Sequence, residues 1–515
     1  MGALLLGTMY VRLKMLISKI DFGPIDARHD FAPKKDQGVL LSKVFVNPFG
    51  IDIEEYKNGK KCFIFGIKGS GKSTILRIVR DKVRKSSGTE LIYFSDLVEN
   101  EDENHENNKV LSSEISGKNL NQDFWRSFFM VIIAKYIARY DLNLSSKKFL
   151  KYVYTQATGK EGSFQSIIST YPHLKNWAAK INNGLASVEL EGDFKKSGNI
   201  SFFYDSALAL LKDINLRKPL YIFIDELEIR FSTSEKFDRD VRAAAALVKE
   251  VRSLNEFFRI EDIPIYVICA VRKEVSQRIL GQDAAKIVRD LGYELSWQRP
   301  AWSAKDKNYY HPLFEIVLRR IYASKNPNQP SANSDNLIST EQEYFNFQNK
   351  GWSQKYILDL TTYRPRDLPI LFANAKKFDG LKSSFSVDTF TRKLRKGYRD
   401  DLWSDFAEAL RTEHSEAEVN LLKRIYFSLP TYFKINDIIR KSDDFSIDPE
   451  SASLVERISI NDWANHLKNL YELGALGWSE IIDDEERIHF HFRGDTDGLQ
   501  LSKTNYIVKV LGLRD

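Results

Sequence analysis

At 515 residues, with 43% hydrophobic and 28% charged side chains, the chain is too long for one core and too apolar for a disordered polymer, so about three globular domains are expected. Its 76 basic and 70 acidic residues leave a net charge of +6, a near balance that does not resemble a nucleic-acid arm and nominates no partner by itself. The two cysteines, Cys62 and Cys269, lie inside apolar runs that read as buried strands, which excludes a disulfide framework and fits a reducing cytoplasm.

The first apolar run, Gly2 to Gly7, is far shorter than the roughly 20 residues that cross a bilayer. It has no basic segment ahead of it and no small-residue cleavage site, and Met9 is a possible alternative start. A cytoplasmic protein without a membrane partner is the expectation.

From Lys61 to Phe65 the run KCFIF predicts a short buried strand, followed by a glycine-rich turn and the helical pattern STILRIVRDKVRK. A second strand is expected at Leu91 to Phe94, and the acidic, asparagine-rich stretch Glu99 to Asn108 reads as a mobile loop. Between about Gln122 and Asp213 the pattern is helical, with Phe124 to Tyr140 the strongest amphipathic segment. That apolar stripe is read as core in preference to a partner groove.

Strands return at Leu220 to Asp225, in IPIYVICAV ending at Val271, and at Tyr293 to Trp297, with a long helix around Asp240 to Phe258 between the first two. Strands separated by helices imply a parallel sheet covered on both faces. A polar segment from Asn326 to Asn336 then interrupts helical sequence that continues to about Arg411. The last hundred residues predict helices around Ala417 to Ser428 and Ile460 to Leu473, then Gly474 and a strand pair, GWSEII and RIHFHFR, joined by the acidic turn DDEE. No solenoid repeat and no coiled-coil heptad is found.

The expected fold class is therefore α/β: a P-loop parallel sheet with a helical insertion, a helical lid and a winged-helix-like end. The boundaries are 1–303 (insertion about 100–213), 304–411 and 412–515.

The segment Gly66-Ile67-Lys68-Gly69-Ser70-Gly71-Lys72-Ser73 satisfies the P-loop pattern between a strand and a helix. Its glycines let backbone amides turn toward β- and γ-phosphates, while the amino end of the helix adds partial positive charge. Lys72 would neutralise the outer phosphates and Ser73 would offer its hydroxyl to Mg2+. The ATP-binding set is thus Gly66, Lys68, Gly69, Ser70, Gly71, Lys72, Ser73 and Thr74.

In Leu220 to Glu226 an apolar strand delivers two carboxylates at its carboxyl end, the edge at which open α/β sheets bind ligands. Asp225 is the expected Mg2+ partner, through water, and Glu226 the general base for the attacking water, so hydrolysis is expected as well as binding. Arg272 follows the strand IYVICAV on the same edge, placed to sense the γ-phosphate. Farther on, TTYRPRDL sets Arg364 and Arg366 around Pro365 where a helix would begin, and Arg366 is the better second sensor.

These residues resemble the additional-strand P-loop ATPases, close to AAA+ proteins and to the signal-transducing ATPases with numerous domains. More narrowly, the chain is similar to a poorly characterised bacterial ATPase family with a leader like Phe22-Gly23-Pro24-Ile25-Asp26-Ala27, then GIKGSGKS, IDELE and a late PRD motif. The resemblance spans about Asp21 to the end. It implies a helical lid after the sheet, Arg366 as its sensor, a winged-helix tail, and nucleotide-controlled oligomerisation or partner binding. Relatives of this kind serve origin binding, antiviral defence or signalling. No LSGGQ-like signature is present, which weakens a transporter or repair-clamp reading, and Arg230 and Arg239 are the arginines available as a finger.

Two functions follow. One is an ATP-hydrolysing switch that drives self-assembly or a partner; a role in antiviral defence would require a separate effector protein, since the chain carries no effector signature of its own. The other is an ATP-regulated DNA-binding protein in which the tail enters a groove. Its recognition region NDWANHLKNLYELGAL has one lysine and two acids, and Asp483, Asp484, Glu485 and Glu486 crowd the wing tip, so protein contact is favoured over DNA. A small-molecule kinase fits the Asp225–Glu226 pair less well.

Overall fold

Runs of β-branched and aromatic residues without polar alternation can satisfy both their side chains and their backbone only inside a covered parallel sheet. Three such runs do so here, β1 (Phe63–Gly66), β3 (Leu220–Leu227) and β4 (Ile265–Arg272), and the sheet is completed at its edges by β2 (Gly88–Tyr93), half-buried throughout, and the short β5 (Gly292–Glu294). They pair in parallel in the order β2-β3-β4-β1-β5, so β4 stands between the strand that leads into the P-loop and the strand that ends in Asp225 and Glu226. The computed structural model describes residues 15–25, 41–94, 120–158, 200–227, 234–280, 284–297, 310–345, 347, 352–411, 414–457, 460–491, 498–501 and 506–510.

Two compact units account for the chain. The first comprises Gly50–Lys68 and Lys72–Leu295; the second comprises Met1–Phe49, Gly69–Gly71 and Ser296–Asp515. The first holds the parallel sheet with helices α1 (Lys72–Val83), α2 (Leu120–Tyr140), α3 (Leu144–Thr158), α4 (Ile200–Lys212), α5 (Ser234–Ile260), α6 (Lys273–Ile279) and α7 (Ala284–Leu291). Its core joins Phe63, Ile222 and Val267 of the strands to Phe129 and Ile133 of α2 and to Leu247 of α5.

Helix α2 departs from the amphipathic expectation. Seven consecutive residues, Phe128 to Ala134, are buried, so the helix has no solvent face over two turns. The cause is that α3, α4 and α5 all pack against it, and an all-round apolar helix is what such an environment selects. The core reading of Phe124 to Tyr140 over a partner groove is the one the burial supports. Cys62 and Cys269 are both buried free thiols, and burial pushes the Cys62 pKa up to about 12. The expected loop at 99–108 and the N-terminal apolar run lie outside the described residues.

The second unit carries α8 (Pro312–Lys325), α9 (Ser334–Tyr344), α10 (Trp352–Asp359), α11 (Asp367–Asp379) and α12 (Arg395–Leu410). Next come α13 (Glu416–Ser428), β6 (Tyr432–Phe433), α14 (Ile435–Phe445), α15 (Pro449–Arg457), α16 (Ile460–Glu472), β7 (Leu476–Ile482), β8 (Glu485–Phe490) and β9 (Tyr506–Lys509). Pro312 opens α8, and Ser415 with Glu418 forms a reciprocal capping box at α13, so both starts are written locally. In the leader segment, Phe22 stacks on Phe372 of α11 at 4.5 Å between ring centroids.

Sheet order in this unit is β6-β9-β7-β8, all antiparallel. The expected hairpin is β7–β8, and its turn residues Asp483 and Asp484 hold φ of 52° and 62°, the left-handed geometry of a two-residue hairpin turn. The sequence reading missed β6 and β9, because two and four residues are too short to show a period. Among the described residues no helix is long and apolar enough to cross a membrane.

Candidate phosphate site

In the first unit, β1 ends on Gly66 and α1 begins on Lys72, so the P-loop falls where a strand hands over to a helix amino terminus. Lys72 Nζ donates to the carbonyl oxygens of Gly66 and Ile67, each at 2.9 Å, which ties the lysine to the loop it closes. One residue on, Ser73 Oγ donates to Asp225 Oδ1 at 3.0 Å. Asp225 is only 2% exposed, so this carboxylate is withdrawn from water and aimed at the helix start.

A local irregularity in β3 accompanies that aim. Ile224 pairs with Cys269 and Leu227 with Val271, so Asp225 and Glu226 share the span that a regular ladder would give to one residue. A bulge of this kind re-aims side chains and recurs beside active sites. It puts both carboxylate-bearing residues at the strand end. The backbone of Glu226 is defined there, while its side chain lies outside the described residues. On the other side of β4, Arg272 is in register with Gly66, which sets its half-buried guanidinium-bearing residue beside the entry to the loop.

The tip of the loop belongs to the second unit. Gly69 and Gly71 hold φ of +79° and +96°, conformations that side-chain-bearing residues rarely adopt. A Cβ on Gly69 would also lie 2.9 Å from Cβ of Arg366. The carbonyl of Gly69 accepts the Arg366 N–H at 3.4 Å, and the carbonyl of Ser70 accepts Trp297 Nε1–H at 2.8 Å.

The two arginines of the PRD segment have different surroundings. Arg364 is buried, with Nε and Nη2 donating to Asp367 Oδ1 at 3.0 and 2.7 Å, and Nη2 forms a looser ion pair with Asp405 Oδ2 at 3.6 Å. Burial works against its charge, but the carboxylates of Asp367 and Asp405 outweigh that and hold its pKa above the ordinary value. The second oxygen of Asp367 accepts from the N–H and hydroxyl of Thr362. Arg366 is more open, with 26% of its side chain exposed and its Nε 3.8 Å from Asp405. It precedes α11 as the cap residue, where the Pro365-based reading expects it.

The remaining sequence-predicted residues follow the loop. Lys68 is half-buried in the turn, Ser70 is 2% exposed, and Thr74 is half-buried in the first turn of α1. Arg230 and the side chain of Arg239 lie outside the described residues. Trp297 and Asp405 were not singled out from sequence. A large aromatic three residues past the last strand is the signal that marks Trp297.

Mg2+ prefers hard oxygen donors and in phosphate sites keeps several waters, needing one or two protein oxygens beside the phosphates. Ser73 Oγ and the buried Asp225 carboxylate supply such a pair, so the donor chemistry fits Mg2+ with a polyphosphate. Among the described residues no group of three His, Cys, Asp or Glu stands ready to hold a metal without such a ligand. A comparison with protein-family models returns no match, and none of the curated proteins compared with the chain matches it.

Proposed function

We propose that the chain is a Mg2+-dependent, ATP-binding and ATP-hydrolysing switch of the additional-strand P-loop class. The observation that carries the reading is the 3.0 Å contact between Ser73 Oγ and Asp225 Oδ1, which joins the P-loop helix to the acidic strand end. The strand order supports it, because β4 is the extra strand between the P-loop strand and the acidic strand.

In this reading the loop amides and Lys72 bind the β- and γ-phosphates, and the α1 amino terminus adds its dipole. Ser73 and Asp225 would hold the Mg2+, which when bound would neutralise charge developing on the phosphates. Glu226 takes a proton from the attacking water, and Arg272 and Arg366 supply positive charge toward the γ-phosphate.

We further read α8 to α12 as a lid and the segment from α13 to β9 as a winged-helix domain. Asp483, Asp484 and Glu486 are exposed at the hairpin, which would repel a DNA phosphate, so this domain is assigned to protein contact. The switch is then read by self-association or by a separate effector protein, with antiviral defence as the setting that the family resemblance implies.

Calorimetric titration of ATP with Mg2+ into the wild-type chain and into Lys72→Ala tests the core of this reading. Binding to wild type and a roughly hundredfold loss in the variant are expected, the scale of a charge-assisted phosphate contact. Equal affinity in the two proteins would remove the phosphate assignment.

A further inference from the structure

Glycine at 71 gives the loop its φ of +96° but restrains nothing, so the orientation of the Ser70–Gly71 peptide has to be fixed from outside. Trp297 is 6% exposed and its indole N–H donates to the Ser70 carbonyl at 2.8 Å. Its ring also closes over Gly71: a Cβ there would lie 3.8 Å from Trp297 Cζ2 and 3.7 Å from Pro365 Cγ. A planar trans peptide directs its C=O and the following N–H to opposite sides. Holding the Ser70 oxygen therefore directs the Gly71 N–H the other way.

The preceding peptide is treated alike, with the Gly69 carbonyl accepting the Arg366 N–H at 3.4 Å. Two successive amides at the loop tip are thus set by donors outside the loop, one of them a side chain that can be changed without touching the loop.

We propose that Trp297 is a positioning residue of the phosphate cradle, fixing the Ser70–Gly71 peptide so that the Gly71 N–H faces a bound polyphosphate. This rests on the phosphate-site reading given above. The role is distinct from contact with a base or sugar, because the indole N–H is committed to the loop carbonyl.

The test compares full-length wild type with Trp297→Phe and with a variant carrying benzothienylalanine at 297, which keeps the ring shape and replaces the N–H by sulfur. Affinities for ATP, ADP and tripolyphosphate are measured with Mg2+, beside thermal melting without ligand. The isostere should bind all three ligands about five- to tenfold more weakly, the scale of one net hydrogen bond, while its ligand-free melting falls by no more than a few degrees. Unchanged affinity in the isostere overturns the proposal even if Trp297→Phe is unstable. A loss for ATP and ADP but not for tripolyphosphate also overturns it, since that marks contact with the nucleoside. A wild-type protein that binds none of the three would instead remove the phosphate-site reading beneath it.

Discussion

Ser73 and Asp225 stand 152 positions apart in the chain and meet at 3.0 Å, hydroxyl to carboxylate, at the start of α1. In the proposed reading they would offer two hard oxygens to Mg2+ beside phosphate, Asp225 through water. Asp225→Ala should raise the Mg2+ concentration needed for ATP binding by about ten- to a hundredfold, as loss of a water-mediated metal partner does. Titrating Mg2+ at fixed ATP gives the answer, and an unaltered Mg2+ midpoint would dismiss Asp225 from the site.

Glu226 follows at the bulge that ends β3. Glu226→Gln keeps the shape of the side chain and removes its basicity. Turnover should fall by roughly a hundred- to ten-thousandfold while ATP affinity stays near wild type. Single-turnover hydrolysis with labelled ATP separates the two quantities, and a variant as fast as wild type would show that another group takes the proton.

Arg364 and Arg366 are separated by one proline, yet their replacements should fail differently. Arg364 and Asp367 have side chains 5% and 0% exposed, so Arg364→Ala strands a buried carboxylate and should cost about 3–5 kcal/mol. Arg366, a quarter exposed and only 3.8 Å from its carboxylate neighbour, should cost under about 1 kcal/mol. Its loss should instead slow hydrolysis by about a hundredfold if it meets developing phosphate charge. Urea denaturation and turnover on both variants would show whether stability and activity divide in this way.

The PRD segment also marks the limit of what sequence shows. Pro365 announces the start of α11, and strand, loop and helix at 63–83 are legible because each signal is local. Arg364 alone pairs with Asp367, while Asp405, on a helix 39 positions after Arg366, lies within 4 Å of both arginines, and no periodicity carries that contact. The Trp297 bond to Ser70 spans 227 positions and is equally silent. Helix α2 was misjudged because an apolar stripe and an apolar cylinder give similar patterns until the packing partners are known.

Acid stability should depend on Asp379 at the end of α11. Burial pushes its carboxyl up, but hydrogen bonds from Lys382, the Ser386 N–H and Thr389 outweigh that and hold its pKa below the usual value. A depressed folded pKa gives stability that is present above the unfolded value of about 3.9 and is lost as pH falls through the folded one. Asp379→Asn should therefore be less stable than wild type at pH 6, with the gap narrowing below about pH 4. Urea midpoints for the two proteins across that range test the sign; a gap that widens in acid would contradict it.

The all-round burial of α2 bears on how this chain can be edited. A stretch of sequence between two strands of one sheet looks like an accessory that could be trimmed to leave a minimal α/β domain. Here Phe129 and Ile133 belong to the same core as the strands themselves. Excising the α2 to α4 region would uncover one side of that core and yield an aggregating fragment, so truncation and domain grafting have to be planned around it.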